Sequence, residues 1–146
     1  MNRRLLSVAA ALLLIASPAL AAPGPEPVVR RFLADYQAMR LDAILAASAP
    51  DTVMAMPYAP GGRLQLQGAA AIGGYLKQVF AQYRSIVLHD VVLTLAANGA
   101  DVTVEAIADF TTPAGVRHSV GYVWILTVVG GRITSSRAYL MPLAPA

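Results

Sequence analysis

The sequence of 146 residues contains no cysteine and few charged side chains. Without cysteine there can be no disulfide framework, no thiol catalysis and no thiolate metal site. Only 13% of the residues are charged and 57% are hydrophobic, which argues against intrinsic disorder and predicts a compact domain. A domain without disulfides must then be held together by its hydrophobic core.

Clusters of basic residues are also missing beyond the pair Arg30-Arg31. The net charge of +3 includes Arg3 and Arg4 near the N-terminus, and it falls to +1 without them. Nucleic-acid binding therefore has no electrostatic basis. The sequence has no glycine-rich phosphate loop, no Ser/His/Asp order and no metal motif, so we expect no nucleic-acid partner, no metal and no cofactor.

Residues 1–22 have the layout of a secretory signal peptide. Two arginines precede an apolar run from Leu5 to Ile15, and small residues follow up to Ala21-Ala22, where we expect cleavage. The alternative is a membrane anchor, but the run is shorter than the roughly 20 residues that span a bilayer. We therefore expect a bacterial periplasmic or secreted protein, not membrane-bound after cleavage, with one domain over residues 27–143.

The hydrophobic pattern of this domain changes at Ser85. Before it, the spacing predicts helices over 27–40, 43–49 (capped by Asp42) and 68–84, and strands over 52–58 and 63–67. After it, four β-rich runs are separated by turn signals at Asn98-Gly99, Pro113-Ala114-Gly115 and Gly130-Gly131. This order predicts an α+β fold, a curled antiparallel sheet of four to six strands with three helices on its concave face.

The turns also predict which residues share the concave face. A two-residue turn at Asn98-Gly99 and a turn centred on Ala114 give two sets of pairs. The expected pairs are Leu95–Val102, Leu93–Val104, Val91–Ala106 and His89–Ala108, then Val104–Trp124, Ala106–Tyr122, Ala108–Val120 and Phe110–His118. Glu105 and Asp109 fall on the outer face, where solvation or a dimer contact is expected.

The last hairpin leaves two alternatives open. A tight turn at Gly130-Gly131 places Arg137 and Tyr139 beside Trp124 and Tyr122. One extra residue places Ala138 and Leu140 there and turns Arg137 to the outer face. The choice decides whether the concave face holds a positive charge.

Three segments together resemble the SnoaL-like branch of the nuclear transport factor 2-like superfamily. They are "VVRRFLADYQAMRLDAIL", "GAAAIGGYL" and "GGRITSSRAYL", and the resemblance extends over about residues 27–142. It implies a cystatin-like cone that opens into an apolar pocket, often in a dimer. Members of this family include isomerases, cyclases, epoxide hydrolases and dehydratases, so the fold does not fix the function.

The catalytic residues of two branches of this family do not carry over. The resemblance places Phe32 where ketosteroid isomerases have a tyrosine, Met56 at their general base before Pro57, and Tyr122 or its neighbour at their second acid. Ala138 stands where epoxide hydrolases have their last acid. Proton abstraction beside a carbonyl needs a base within reach, so neither activity is expected.

The leading hypothesis is therefore a homodimeric protein that binds a small apolar molecule in its cone. One alternative is an isomerase, cyclase or hydrolase that uses His118 or His89 as base and Tyr122 as donor. Another is a module that only dimerises or docks a partner. The residues predicted to line the pocket are Phe32, Tyr36, Met54, Met56, Tyr58, Leu76, Phe80, Ala106, Tyr122, Trp124, Ala138 and Leu140.

Overall fold

Three helices and six strands form the part of the chain described by the computed structural model, residues 22–59 and 61–143. The predicted signal peptide lies outside these residues, save for its last position. The helices are α1 (Pro25–Gln37), α2 (Leu41–Ala47) and α3 (Gly68–Ala81). The strands are β1 (Ser48–Met56), β2 (Leu64–Gln67), β3 (Ser85–Leu95), β4 (Asp101–Thr111), β5 (Arg117–Val129) and β6 (Arg132–Pro142).

The strands form one open sheet in the order β2-β1-β6-β5-β4-β3. All neighbours are antiparallel except β1 and β6, which are parallel. The predicted α+β class, with three helices on a curled sheet, is confirmed. The parallel pair was not predicted, because the third helix and four further strands lie between its two strands in the chain.

The helices follow the predicted apolar pattern with small shifts at their ends. Helix α1 begins at Pro25, where a proline costs no hydrogen bond, and its stripe includes the buried Val29 and Tyr36. Asp42 lies in the first turn of α2, near the positive end of the helix dipole, and Arg40 occupies the cap position instead. Among the described residues, no helix has the length and hydrophobicity needed to cross a membrane.

A buried carboxylate fixes the turn between α1 and α2. Asp35 is 1% exposed, and its Oδ1 lies 2.6 Å from Arg40 Nη2, while Oδ2 lies 3.3 Å from Arg31 Nε. The Arg40 amide also donates to the Asp35 carbonyl at 2.9 Å. Met39 adopts a positive φ of 52° between them, so the turn holds a backbone conformation that non-glycine residues seldom adopt. The two arginines therefore hold both the carboxylate and the sharp turn in place.

A β-bulge in β3 corrects the predicted position of His89. The pairs near the turn match the prediction, but the register shifts between His89 and Val92, so that Leu88 rather than His89 lies opposite Ala108. Asp90 provides the bulge with a positive φ of 54°, which Asp tolerates better than most residues. His89 therefore lies on the outer face of the sheet, and the predicted Val91–Ala106 pair does not form.

The other two hairpins settle the register of the concave face. All four predicted pairs between β4 and β5 are present, from Val104–Trp124 to Phe110–His118. Between β5 and β6 the register shifts at Thr127 and Val128, so Trp124 faces Ala138 and Tyr122 faces Leu140. This is the alternative with one extra residue. Arg137 pairs with Ile125 and lies on the outer face.

Asp109 is the centre of a polar cluster on that outer face. Its carboxylate accepts a hydrogen bond from the Ser119 hydroxyl, and it lies 3.4 Å from His89 Nε2 and 3.6 Å from Arg117 Nη1. His89 also contacts Asp90 through Nδ1 at 3.1 Å. The hydrogen bond from Ser119 and the neighbouring Arg117 hold the pKa of Asp109 below its usual value.

We expect Ser119→Ala to destabilise the protein at neutral pH and to have little effect in strong acid. The lowered pKa means that ionised Asp109 stabilises the fold above the unfolded value near 3.8, and that this stabilisation is lost as the pH falls through the folded pKa. Removing the donor raises the folded pKa. Urea unfolding at both pH values measures the difference, with Ser135→Ala on the same face as control. An equal loss of unfolding free energy at both pH values would mean that Ser119→Ala acts through packing rather than through the Asp109 charge.

Candidate functional site

A cavity of about 370 Å³ lies between the concave face of the sheet and the helices. Its inner end is closed by Ile44 and Ile133, both almost fully buried, and its mouth is bordered by the exposed side chains of Gln82 and His118. Nine of the twelve predicted pocket residues line it: Phe32, Tyr36, Met54, Met56, Leu76, Tyr122, Trp124, Ala138 and Leu140. The alternation of strands β1, β5 and β6 brings most of these onto one face.

Three predicted pocket residues do not line this cavity. Tyr58 is 78% exposed and lies against Tyr139 with ring centroids 5.9 Å apart, because β1 ends at Met56 and the alternation stops there. Phe80 is partly buried and packs its ring against Tyr36 at 5.5 Å, at the edge of the core rather than on the cavity wall. Ala106 is buried beside Tyr122 on the neighbouring strand but does not reach the cavity.

The two histidines have different positions. His89 lies on the outer face of the sheet and cannot act on a molecule in the cavity, which corrects its place among the catalytic candidates. His118 is on the cavity wall at the mouth, and it lies on the same strand as Tyr122, the third candidate, four residues away. At about 3.3 Å per residue, their backbones are about 13 Å apart. A base at the mouth and a donor deep in the wall are therefore well separated.

Trp124 forms the centre of an aromatic wall. Its ring contacts Tyr122 at a centroid distance of 4.2 Å, Tyr36 at 4.9 Å and Phe32 at 5.8 Å. The contacts to Tyr36 and Phe32 are edge-to-face, the arrangement that aromatic quadrupoles favour by about 0.5–1.5 kcal/mol per pair. Because α1 and β5 each contribute to this cluster, the wall is fixed before any ligand arrives.

The hydroxyls of Tyr36 and Tyr122 on the wall remain protonated at physiological pH. Burial raises the pKa of Tyr36 to about 12, and a hydrogen bond from Tyr122 opposes this only in part. Burial also raises the pKa of Tyr122 well above its usual value, and the neighbouring Tyr36 adds to the increase. Both phenols are thus neutral hydrogen-bonding groups close to one another. The Tyr75 hydroxyl is already used, since it donates to Met56 Sδ at 3.3 Å.

Three serine and threonine side chains on the wall were not predicted from the sequence. Thr52 is 3% exposed, and Ser136 lies on the adjacent strand, where its neighbour across the parallel ladder is Met54. Ser48 lies nearer the inner end and donates to the Ile44 carbonyl at 3.0 Å. Thr52 alternates with Met54 and Met56 along β1, and this period of two could have predicted Thr52 on the cavity wall.

No lining residue is an aspartate, glutamate, lysine or arginine. Arg137, which the tight-turn alternative would have placed inside, is on the outer face. Across residues 22–59 and 61–143, no group of three or more metal-ligating side chains lies close enough to hold an ion. The cavity can thus hold a neutral apolar molecule and offer it hydrogen bonds.

Sequence comparison identifies one family. A family model described as "SnoaL-like domain" matches residues 29–136, most of the chain. The curated proteins gave no match.

Comparison with solved structures identifies the same fold in several bacterial proteins. A Bacillus subtilis protein described as an isomerase candidate is 23% identical with a TM-score of 0.70, over 80% of this chain and 85% of that one. An NTF2-like protein from Burkholderia xenovorans is 22% identical with a TM-score of 0.64, over 80% and 88%. RV0760c from Mycobacterium tuberculosis, solved in complex with estradiol-17beta-hemisuccinate, is 17% identical with a TM-score of 0.68, over 80% and 93%. At these identities the likeness concerns the fold.

Proposed function

The chain belongs to the SnoaL-like domain family of the nuclear transport factor 2-like superfamily, and we propose that it binds a small apolar molecule in the cavity of its cone. The observation that carries this proposal is the preformed cavity of about 370 Å³ with the aromatic wall around Trp124. Pockets of about 300–1,000 Å³ with mostly apolar walls and a few polar groups are typical of small-molecule sites.

The size of the cavity limits the ligand. A cavity of about 370 Å³ has room for several water molecules when no ligand is present. Replacing such waters, which lie against apolar side chains, by an apolar molecule is favourable in proportion to the apolar surface removed from water. A ligand of about ten to twenty non-hydrogen atoms is consistent with this volume. The steroid derivative bound to RV0760c supports small-molecule binding in this fold.

The proposal is that the protein binds its ligand without the catalytic acids of the isomerases and epoxide hydrolases in this family. The positions that the resemblance assigns to acids hold Met56, Tyr122 and Ala138, and all three line the cavity. A methionine, a neutral phenol and a methyl group cannot abstract a proton beside a carbonyl. This supports a role in binding rather than catalysis by the known isomerase or epoxide-hydrolase arrangements.

Trp124 provides the experiment, because it is the only tryptophan in the chain and lies on the cavity wall. We expect naphthalene, a rigid apolar probe that the cavity can hold, to quench its fluorescence in a saturable titration. The saturable change in Trp124 fluorescence should be lost when an excess of a competitor without aromatic rings, such as adamantane, is added. A change that rises linearly without saturation would count against the proposal.

The proposal extends to a homodimer joined through the outer face of the sheet. Val123, Ile125 and Tyr139 lie side by side there and are only partly buried within one chain. Covering such a patch is the usual reason for two copies to associate. Analytical ultracentrifugation tests it, with twice the chain mass expected.

Export through cleavage near Ala21-Ala22 is likewise proposed, and N-terminal sequencing of the protein from its host tests it.

A further inference from the structure

One hydroxyl on the cavity wall is buried without a hydrogen-bond partner in the protein. Thr52 is 3% exposed, yet no hydrogen bond of its side chain is formed to any residue within 22–59 and 61–143. Thr52 lines the cavity, and among the described residues the one fully enclosed side-chain atom without a hydrogen-bond partner is Asp35 Oδ1. The Thr52 hydroxyl oxygen is therefore accessible from the cavity. Buried polar groups nearly always find a partner, so this hydroxyl points to a molecule in the cavity.

Ser136 provides a second hydroxyl on the same part of the wall. It follows Ser135, which pairs with Val53 across the parallel ladder, and both Thr52 and Ser136 face the cavity. Ser48, by contrast, already donates to the Ile44 carbonyl. The free hydrogen-bonding capacity near the inner end is therefore concentrated at Thr52 and Ser136.

The tyrosine hydroxyls lie on another part of the wall. Tyr36 and Tyr122 lie next to each other there, both against Trp124, so each hydroxyl has the other as a neighbouring polar group. Tyr122 faces Leu140, four residues along β6 from Ser136, which corresponds to about 13 Å at 3.3 Å per residue. The two polar regions are thus separated by the apolar stretch of wall around Trp124 and Ala138.

The absence of charge on the wall limits the ligand further. The lining residues include no arginine or lysine, and the bulge at the last hairpin keeps Arg137 on the outer face. A carboxylate beside Thr52 and Ser136, away from His118 at the mouth, would lose its hydration without gaining a countercharge, which costs far more than a hydrogen bond returns. An ionised ligand is therefore disfavoured.

We infer that the ligand is uncharged and presents a hydroxyl or carbonyl oxygen to Thr52 and Ser136, with its apolar body against Trp124. The inference rests on the proposed binding function and specifies the chemistry of the ligand. It makes Thr52 and Ser136 the residues that determine specificity, since the rest of the wall contributes mainly apolar contact.

Three probes with one ring system test it: naphthalene, 2-naphthol and 2-naphthoate, each titrated into the full chain by isothermal calorimetry. We expect 2-naphthol to bind about fivefold more tightly than naphthalene, because a typical hydrogen bond contributes a factor of this order. We expect 2-naphthoate to bind at least about 100-fold more weakly than 2-naphthol, because its charge has no partner beside Thr52 and Ser136.

Variants then assign the effect to the two hydroxyls. Thr52→Val keeps the shape of the side chain and removes the hydroxyl, and Ser136→Ala does the same on β6. Each should weaken 2-naphthol binding by about fivefold while changing naphthalene binding by less than about twofold. Thr103→Val, on the outer face of β4, is the matched control and should change neither.

The outcomes separate this inference from the proposed function. Binding of all three compounds with equal affinity, or an unchanged affinity of Thr52→Val and Ser136→Ala for 2-naphthol, overturns the inference and leaves apolar binding in place. Tight binding of 2-naphthoate overturns the requirement for an uncharged ligand. If neither naphthalene nor 2-naphthol binds, the proposed function fails and the inference fails with it.

Discussion

Ala138→Phe is expected to abolish the binding of naphthalene, with at least about a 100-fold loss of affinity. Ala138 is buried on the cavity wall and faces Trp124 across the β5–β6 ladder, so a phenyl ring placed there occupies the space of the ligand. The cost to stability is about 1–3 kcal/mol at most, because the ring enters existing space rather than a filled core. Calorimetric titration measures the affinity, and thermal unfolding measures the stability.

The matched control is Ala55→Phe. Ala55 lies on the outer face of β1 and pairs with Arg137, so the same added ring is directed away from the cavity. Wild-type affinity in this variant, together with lost binding in Ala138→Phe, places the ligand in the cavity. An Ala138→Phe protein that stays folded and binds naphthalene as well as the wild type would contradict the proposed site.

Arg40→Met is expected to cost about 3 kcal/mol of unfolding free energy, the largest stability effect that we predict. Asp35 Oδ1 is fully enclosed, and its close partner is Arg40 Nη2 at 2.6 Å, an ion pair that lacks the alignment of a hydrogen bond. Without Arg40 this oxygen is a buried charge with no partner of its own. Methionine retains most of the side-chain length, so the loss concerns the charge rather than the packing.

Arg30→Met is the control for this prediction. Arg30 pairs with Glu26 at 2.7 Å on the surface of α1, where both side chains are about half or more exposed. Such exposed helical pairs contribute about 0.3–0.5 kcal/mol. Urea unfolding should therefore show a much larger loss of unfolding free energy for Arg40→Met than for Arg30→Met. The dependence of that free energy on urea concentration should be the same in both variants. Equal losses of unfolding free energy in the two variants would mean that Arg31 or solvent, rather than Arg40, stabilises the Asp35 carboxylate.

The sequence predicted the fold best where local chemistry decides the structure. The hairpin between β4 and β5 has an unambiguous turn at Pro113-Ala114-Gly115, and its register agrees pair by pair. The bulge at Asp90 was not predicted, because no glycine marks it and the polar pair His89-Asp90 also fits a regular strand. The parallel pairing of β1 and β6 depends on contacts across most of the chain, which no local pattern encodes.

The candidate site was predictable to the extent that it follows strand alternation. Tyr122, Trp124 and Ala138 reach the cavity because the period of two holds along β5 and β6. Tyr58 does not, because it lies beyond the end of β1. The roles of Thr52 and Ser136 could not be read from the sequence, because a strand hydroxyl has functional meaning only when the structure shows that nothing else satisfies it.

The measurement that tests the central claim most directly is a crystal structure of the protein saturated with 2-naphthol. We predict that the ring system lies in the cavity against Trp124, with its hydroxyl within hydrogen-bonding distance of Thr52 or Ser136. A structure in which 2-naphthol occupies only the outer surface, while the cavity holds water or is closed by its own side chains, would contradict it.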